Sequence, residues 1–466
     1  MKNFKTMKSS IYKYIVPALL LPLFLASCDK YLDVEPKGVR LLKTVTDYDL
    51  WLNNTFIQSS IPNELNLLAD NVDKPTIVAA PTLVTDRIYL WREPFAQNLA
   101  DEPVIWNSLY KSIYYSNTVI EGIDGATGGT EAEKAKLKAE ALLNRALDYF
   151  YLVNLYGKAY NATTANQDLS VPFVTSVDLS TPTPERSTVE AIYNHIFDDL
   201  QKAILSLPQD NSKNRFRGSV AGAYSLLAKV YLSMGDYTKA SQNAQLALSK
   251  GESNVQDYST MTSAAPIGNL VKRPGTIYAR LSTLQYYIPN PTLEFLNTFE
   301  KKDLRLKFYY SSLGDYSFPK RGVVQYISYD AGYSSSFANW GTSVAEMRLI
   351  MAEAAARANN LGEAINQLDL VRSKRFAAAD YVKYNPAVPV QEDVLQKVFR
   401  ERTFEFAFTA TRWLDMKRLD AEGRMPVVNR YDGAGNIIST LLPKSDKYTL
   451  QIPIQVQSFN PNWPKN

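Results

Sequence analysis

The chain has one cysteine, Cys28, and one histidine, His195, so the residue types that most often act as nucleophile, metal ligand or neutral-pH base occur once each. Cys28 directly follows Leu25-Ala26-Ser27, which closes a short apolar run behind a basic N-terminus. That order is typical of a bacterial export signal, and it predicts a lipoprotein whose new N-terminus is an acylated Cys28. We therefore expect residues 1–27 to be removed and the exported chain to be held to a membrane through Cys28. An ordinary secretory signal and a short uncleaved anchor are the alternatives.

The scarcity of these residues also restricts catalysis. A Ser-His-Asp triad would have to use His195, and a Cys-His dyad or a His/Cys zinc site cannot be assembled with an acylated Cys28. His195 falls in a predicted helix over Ser187–Leu207, with Asp199 one turn further on, and we expect a solvated His–Asp pair on the helix surface. No sequence motif indicates a cofactor or a metal site, so we predict neither. A pair of catalytic carboxylates is not excluded by the same reasoning.

The net charge of the chain comes from its N-terminus. The four lysines of residues 1–27 account for the whole excess of 51 basic over 47 acidic residues, so residues 28–466 are formally neutral. Binding to a phosphate backbone depends on an excess of Lys and Arg. Nucleic acid is therefore not an expected partner.

Two segments, 218–250 and 343–375, repeat one pattern: a helix face with small residues, a turn, and a returning helix with small residues. The positions are Leu227, Ala228, Tyr231, Ala240, Ala244 and Ala247 in the first segment and Met351, Ala352, Ala355, Ala364, Leu368 and Val371 in the second. Small residues let two antiparallel helices approach closely, and the spacing resembles the tetratricopeptide repeat. We expect such helix pairs to stack on one another, since one pair cannot bury its own apolar face.

The rest of the chain divides between further helices and irregular stretches. The expected helices cover 103–123, a capping-box start at Thr130 through Tyr156, and 391–420. The expected fold is mainly α: a tetratricopeptide-like repeat scaffold with a loop-rich insertion and small β-hairpins. We expect 28–466 to be a single domain, with repeats at about 103–250 and 342–420, loop-rich segments at about 37–102 and 251–341, and a C-terminal hairpin and tail at 421–466.

Separated blocks of sequence resemble the SusD/RagB family, the nutrient-uptake lipoproteins of Bacteroidetes. The blocks are Cys28–Pro36; Trp106, Leu109-Tyr110, Ile113 and Asn117; Glu140-Ala141, Arg145-Ala146 and Tyr149–Gly157; Glu401-Arg402, Glu405-Phe406, Arg412-Trp413, Asp415 and Arg418; and Gln451–Ile454 with Asn460-Pro461. They span nearly the whole chain. One departure is Thr409-Ala410, where the family usually has Glu-Gly.

The resemblance implies a function without catalysis. Members of the family capture a glycan or an oligopeptide on a loop-rich face and pass it to a SusC-like TonB-dependent transporter in the outer membrane. For this chain it therefore implies an outer-membrane location, facing the cell exterior, with Cys28 in the lipid.

Aromatic residues in the irregular segments are the expected ligand contacts, because flat rings suit sugars and peptide side chains. The candidates are Trp91, Tyr278, Tyr286, Tyr287, Tyr316, Tyr333 and Trp340, with Asp70, Asn71, Asp73, Arg92 and Arg280 as polar partners. Packing is the competing interpretation for each of them, since loop aromatics often only hold a loop in place.

Two other functions compete with nutrient capture. One is a helical-repeat adaptor that binds only protein, and the other is a lipid-anchored glycan hydrolase. A hydrolase would need a carboxylate pair or a metal site, and no motif marks one.

Overall fold

Helices of about 4 to 26 residues dominate the described part of the chain. The computed structural model describes residues 42–77, 80–261, 270–283, 290–310, 321–322, 329–330, 333–336 and 338–465, of which 329–330 and 333–336 are described in the backbone only. The helices are α1 Val45–Trp51, α2 Thr55–Gln58, α3 Val84–Tyr89, α4 Val104–Gly122, α5 Glu131–Tyr156, α6 Val189–Ile204, α7 Val220–Met234, α8 Tyr237–Lys250, α9 Leu293–Asn297, α10 Val344–Arg357, α11 Leu361–Arg372, α12 Gln391–Glu405, α13 Thr411–Ala421 and α14 Ile454–Phe459. Within these described ranges, no helix combines the length and the apolar character needed to cross a membrane.

Short strands pair in twos between the helices. They are β1 Val72–Asp73, β2 Leu169–Pro172, β3 Arg186–Thr188, β4 Thr276–Tyr278, β5 Asn290–Pro291, β6 Tyr329–Asp330, β7 Tyr333–Ser336, β8 Thr342–Ser343, β9 Val428–Tyr431 and β10 Ile437–Leu441. The antiparallel pairs are β1 with β5, β2 with β3, β4 with β8, β6 with β7, and β9 with β10. The β9–β10 pair is the hairpin expected near residue 430.

The two predicted repeats are confirmed as helix pairs. The first consists of α7 and α8, with Gly235 in the left-handed region at the turn (φ +77°), and the second consists of α10 and α11. The alanines that line the first pair, Ala240, Ala244 and Ala247, have no exposed surface. Helices α8 and α10 pack together and share one apolar cluster, so each repeat covers a face of the next. The predicted mainly α, tetratricopeptide-like fold is therefore confirmed.

The capping box at the start of α5 is also confirmed. The Thr130 hydroxyl accepts from the Glu133 main-chain N–H at 3.2 Å, and the Glu133 carboxylate accepts from the Thr130 N–H at 2.7 Å. Two of the free N–H groups at the helix start are thereby bonded. From there α5 continues to Tyr156, and Gly157 ends it, as predicted.

The prediction of a single helix over 391–420 is wrong, because the chain breaks between α12 and α13. Phe408 and Ala410 adopt left-handed backbone conformations, with φ of +60° and +62°. The Asn66 side chain holds the break: its amide donates to Phe408 O at 3.2 Å and its carbonyl accepts from Ala410 N–H at 3.1 Å. These two bonds come from a residue more than 300 positions away, so no local pattern indicates them.

The expected solvated pair of His195 and Asp199 is also wrong. Asp199 is buried and accepts from the Arg145 guanidinium at 2.7 and 2.8 Å, while the His195 ring stacks on Phe173 with centroids 3.7 Å apart. Burial lowers the pKa of His195, although the nearby Asp199 carboxylate opposes the shift. The helix itself is shorter than predicted, since Thr188 caps its start. Asp199 therefore neutralises a buried arginine, and the His195 ring packs against Phe173.

We expect Gly341→Ala to destabilise the fold by about 1–3 kcal/mol, since an added Cβ would overpack a filled space. At Gly341 that Cβ would clash with the main-chain oxygen of Tyr278, next to the pairing of β8 with β4. Gly362→Ala is the matched control, because its Cβ would meet nothing within 4 Å and it lies in α11. The control should gain roughly 0.5–1 kcal/mol from helix propensity. Denaturant titration measures both changes, and equal stability of the two variants would contradict the expected clash.

Candidate functional site

The two loop-rich segments predicted from the sequence meet in the fold. Strand β1 pairs with β5, and Ile61 forms a parallel bridge with Ser282. The main-chain N–H of Thr283 donates to Ile61 O at 2.9 Å, and that of Thr292 donates to Asn71 O at 3.0 Å. Segments more than 200 residues apart therefore form one irregular region against the helices.

Three of the predicted aromatic contacts have buried rings, which corrects the expectation that they present sugar-binding faces. Trp91, Tyr278 and Trp340 expose 2%, 1% and 2% of their surface. The Trp91 indole donates to Leu68 O at 2.9 Å, and the Arg280 guanidinium covers the Tyr278 ring at 3.9 Å from its centroid. Stacking on a sugar needs an uncovered ring, so packing accounts for Tyr278 and Trp340.

The remaining aromatic candidates stay predictions. Tyr286, Tyr287 and Tyr316 lie outside the described residues, as does the acylation site Cys28. Tyr333 belongs to β7, of which the backbone alone is described.

Most of the predicted polar partners bind other parts of the protein. Asp70 accepts from the Arg412 guanidinium at 2.8 Å, and the Arg321 guanidinium pairs with Asp73. The Arg280 guanidinium donates to Asn144 Oδ1 at 2.6 Å and is 1% exposed, and Asn71 is also buried. These groups hold the loop-rich region in place.

Arg92 and Trp91 are among the residues that line a large cavity of about 960 Å³. Its walls come from α3 and the turn after it, the stretch from the end of α5 to the start of β3, the end of α13, the tail before α14, and Lys465 beyond α14. The lining residues outside that turn include Lys158, Asp168, Arg186, Lys417, Asp420, Lys444, Asp446, Lys447, Tyr448 and Gln451. A concave space of this size is within the range of sites that enclose small molecules.

A buried arginine fixes the turn that carries Trp91 and Arg92. The Arg430 guanidinium stacks on Trp91 and Tyr89, at 4.1 and 4.3 Å from their ring centroids, and is 1% exposed. It donates to the main-chain oxygens of Tyr89, Val72 and Leu67 at 2.6 to 2.9 Å. The planar fork of Arg suits such multiple contacts. This wall of the cavity is therefore anchored to β9.

Glu93 and Lys417 give the cavity two groups that titrate near neutral pH. Burial lowers the pKa of Lys417 to about 7, although the Glu93 carboxylate favours its charged form. Burial raises the pKa of Glu93 to about 7, against the hydrogen bond that its Oε1 accepts from the Gln451 N–H at 2.7 Å. Titratable groups with shifted pKa values that line a concave space of this size are a common mark of a functional site.

Most of the cavity residues were not predicted from the sequence. Arg92 and Trp91 were candidates, but Glu93, Lys417 and the tail lysines Lys444 and Lys447 were not. The one sequence signal that could have identified Lys444 and Lys447 is that they fall outside any helical pattern. Only the fold shows that they line the same cavity as Arg92.

Family models match most of the chain in two blocks. Residues 30–232 match a family described as starch-binding and associating with the outer membrane, and residues 295–464 match the SusD family. A SusD-like protein P2 from Formosa agariphila is 26% identical over 368 residues, covering 67% of this chain and 71% of that protein. A SusD-like protein from Bacteroides ovatus is 27% identical over 229 residues, which span 47% of this chain and 39% of the relative.

Solved structures share the fold. A SusD superfamily protein from Bacteroides thetaiotaomicron superposes with a TM-score of 0.73 at 21% identity, covering 91% of this chain and 99% of that one. Surface glycan-binding protein A from Bacteroides uniformis gives a TM-score of 0.68 at 18% identity, covering 91% and 99%. With both family models and the helical-repeat fold in agreement, the chain belongs to the SusD family.

Proposed function

We propose that this chain is a cell-surface lipoprotein that captures a glycan and delivers it to a TonB-dependent transporter of the outer membrane. The observation that carries the capturing role is the cavity of about 960 Å³ in a chain of the SusD family. Its walls are lined mainly by charged and polar side chains, which suit a hydroxylated ligand. One matching family model is described as starch-binding, and one structural neighbour is described as a surface glycan-binding protein.

Cys28 and the family support the proposed position of the protein at the outer membrane. One matching model is described as associating with the outer membrane. A multiply acylated cysteine binds lipid strongly, since each buried methylene contributes about 0.8 kcal/mol. Holding the binder in the membrane raises the local concentration of captured ligand at the mouth of an adjacent transporter.

A glycan and peptide array probed with the purified lipoprotein tests the capturing role. We expect retention of at least one class of oligosaccharide, followed by recovery of the bound chains at their original length. Shortened chains would establish a hydrolase in place of a binder. Retention of no glycan would contradict the glycan-capturing role. Retention of oligopeptides alone would show that the ligand is an oligopeptide, the other ligand class that the family resemblance allows.

Delivery to a transporter needs a separate test. Affinity purification of the tagged lipoprotein from outer membranes in mild detergent should bring down a SusC-like TonB-dependent transporter in comparable amount. Recovery of other proteins without any transporter would favour the adaptor function.

A further inference from the structure

We propose that the ligand of the cavity is an anionic saccharide, one whose sugar units carry carboxylate or sulfate groups. The inference deepens the glycan-capturing function proposed above and rests on it. The inference is drawn from the charged side chains that line the cavity, all of which belong to the described residues.

Basic side chains outnumber acidic ones around the cavity by eight to four. The basic residues are Arg87, Arg92, Lys158, Arg186, Lys417, Lys444, Lys447 and Lys465, and the acidic residues are Glu93, Asp168, Asp420 and Asp446. Residues 28–466 as a whole are formally neutral, so this excess is local. A concave surface with one sign of charge concentrates the electrostatic field and attracts ligands of the opposite sign.

Main-chain carbonyl oxygens hold several of these cations in place. The Arg186 guanidinium donates to Ser170 O and Pro464 O, each at 2.7 Å, and the Arg87 Nε donates to Pro94 O at 3.0 Å. In the same way, the ammonium groups of Lys417 and Lys444 donate to Gly157 O and Ala421 O respectively.

A carbonyl oxygen fixes a cation but does not cancel its charge, whereas a carboxylate does both. Lys158 shows the contrast, because its ammonium lies 2.7 Å from an Asp168 carboxylate oxygen. The arrangement therefore orders the positive charges around the cavity and leaves a net positive charge for a ligand to neutralise. A neutral sugar would gain nothing from that excess.

The cavity also becomes more positive as the pH falls. Protonation of Lys417 adds a positive charge and protonation of Glu93 removes a negative one, and both groups have a pKa of about 7. Glu93 is faced by Lys417, Lys447 and the Gln451 N–H, and Lys417 is faced by Glu93. The other charged groups around the space are Arg87, Arg92, Lys158, Asp168, Arg186, Asp420, Lys444, Asp446 and Lys465. Affinity for an anion should therefore rise from pH 8 to pH 6.

The test compares acidic and neutral oligosaccharides of equal length on the purified lipoprotein in detergent. The acidic probes are oligomers of galacturonate, alginate and chondroitin sulfate, and the neutral ones are oligomers of galactose, mannose and glucose. We expect an acidic probe to bind at least about tenfold more tightly than every neutral probe, with an affinity that falls as salt is added. From pH 8 to pH 6 its affinity should rise by about tenfold, and Glu93→Gln with Lys417→Met should flatten that change.

A triple variant locates the binding. Lys444→Gln, Lys447→Gln and Lys465→Gln remove three charges from the cavity wall, and we expect a loss of about tenfold or more in affinity for the acidic probe. Lys213→Gln, Lys250→Gln and Lys301→Gln are the matched control, because they remove three exposed charges that do not line the cavity. The control should bind within about twofold of the wild type, since salt screens exposed charges that do not line the cavity.

Three other kinds of result would each overturn a different claim about the cavity. A neutral probe that binds as tightly as the acidic ones, or a triple variant that matches its control, would overturn the anionic ligand and leave glycan capture standing. Binding to vesicles of anionic phospholipid without binding to any oligosaccharide would assign the cavity to a membrane headgroup. If no saccharide bound, either on the array or among the acidic and neutral oligosaccharides, glycan capture itself would be overturned.

Discussion

Asp415→Asn is expected to lower the free energy of unfolding by about 3–5 kcal/mol, the usual cost of breaking a buried ion pair on one side. Asp415 is 5% exposed and accepts from Arg402 at 3.0 and 3.1 Å and from Arg418 at 2.8 Å. Arg418 in turn donates to Glu353 at 2.6 and 2.8 Å. An uncharged amide at 415 would leave two buried guanidinium groups without that counter-charge. Denaturant titration at pH 7 measures the change.

An exposed ion pair provides the control. Asp198 lies 2.6 Å from Lys202 on the surface of α6, with both side chains more than half exposed, so Asp198→Asn should cost at most about 0.5 kcal/mol. A loss at Asp415 no greater than at Asp198 would contradict the structural role of the network.

The destabilisation by Asp415→Asn should also depend on pH. Although burial acts to raise the pKa of Asp415, the two guanidinium groups hold it well below its usual range. As the pH falls through about 4, the ordinary value for an aspartate, the unfolded chain takes up a proton at this position before the folded chain does. The stability that the Asp415 charge supplies is therefore present above pH 4 and lost progressively below it, so wild type and variant should converge in acid.

Cys28→Ala is expected to move nearly all of the protein from the membrane fraction to the soluble fraction. The predicted anchor consists of acyl chains on this one residue, and without them the described part of the chain contains no helix that could span a membrane. Fractionation together with labelling by radioactive palmitate measures the change. Ser27→Ala is the control, because it keeps a small residue before Cys28 and should leave labelling unchanged. A Cys28→Ala protein that stays labelled and membrane-bound would contradict the anchor.

Sequence patterns were sufficient for the helix pairs because the signals there are local. Small residues at helical spacing and a glycine turn predict α7 with α8, and the capping box at Thr130 predicts the start of α5. The residues of the family signature near Asp415 were also recognisable. What the structure adds is their physical role, since Arg402, Asp415 and Arg418 form a buried ion network.

Long-range contacts account for what the sequence did not predict. The break before α13 depends on hydrogen bonds from Asn66, and Ala410 takes there a left-handed conformation that costs an alanine about 1–2 kcal/mol. The family's usual glycine at this position would adopt it freely. The cavity depends on five segments between residue 87 and residue 465, so its lysines and arginines do not form a run in the sequence.

Calorimetric titration of the purified lipoprotein with the oligosaccharide that the array selects tests the central claim most directly. The account predicts saturable binding at one site per chain, with every oligosaccharide recovered at its original length afterwards. Absence of saturable binding to any selected oligosaccharide, or recovery of shortened chains, would contradict a protein that captures a glycan without cleaving it.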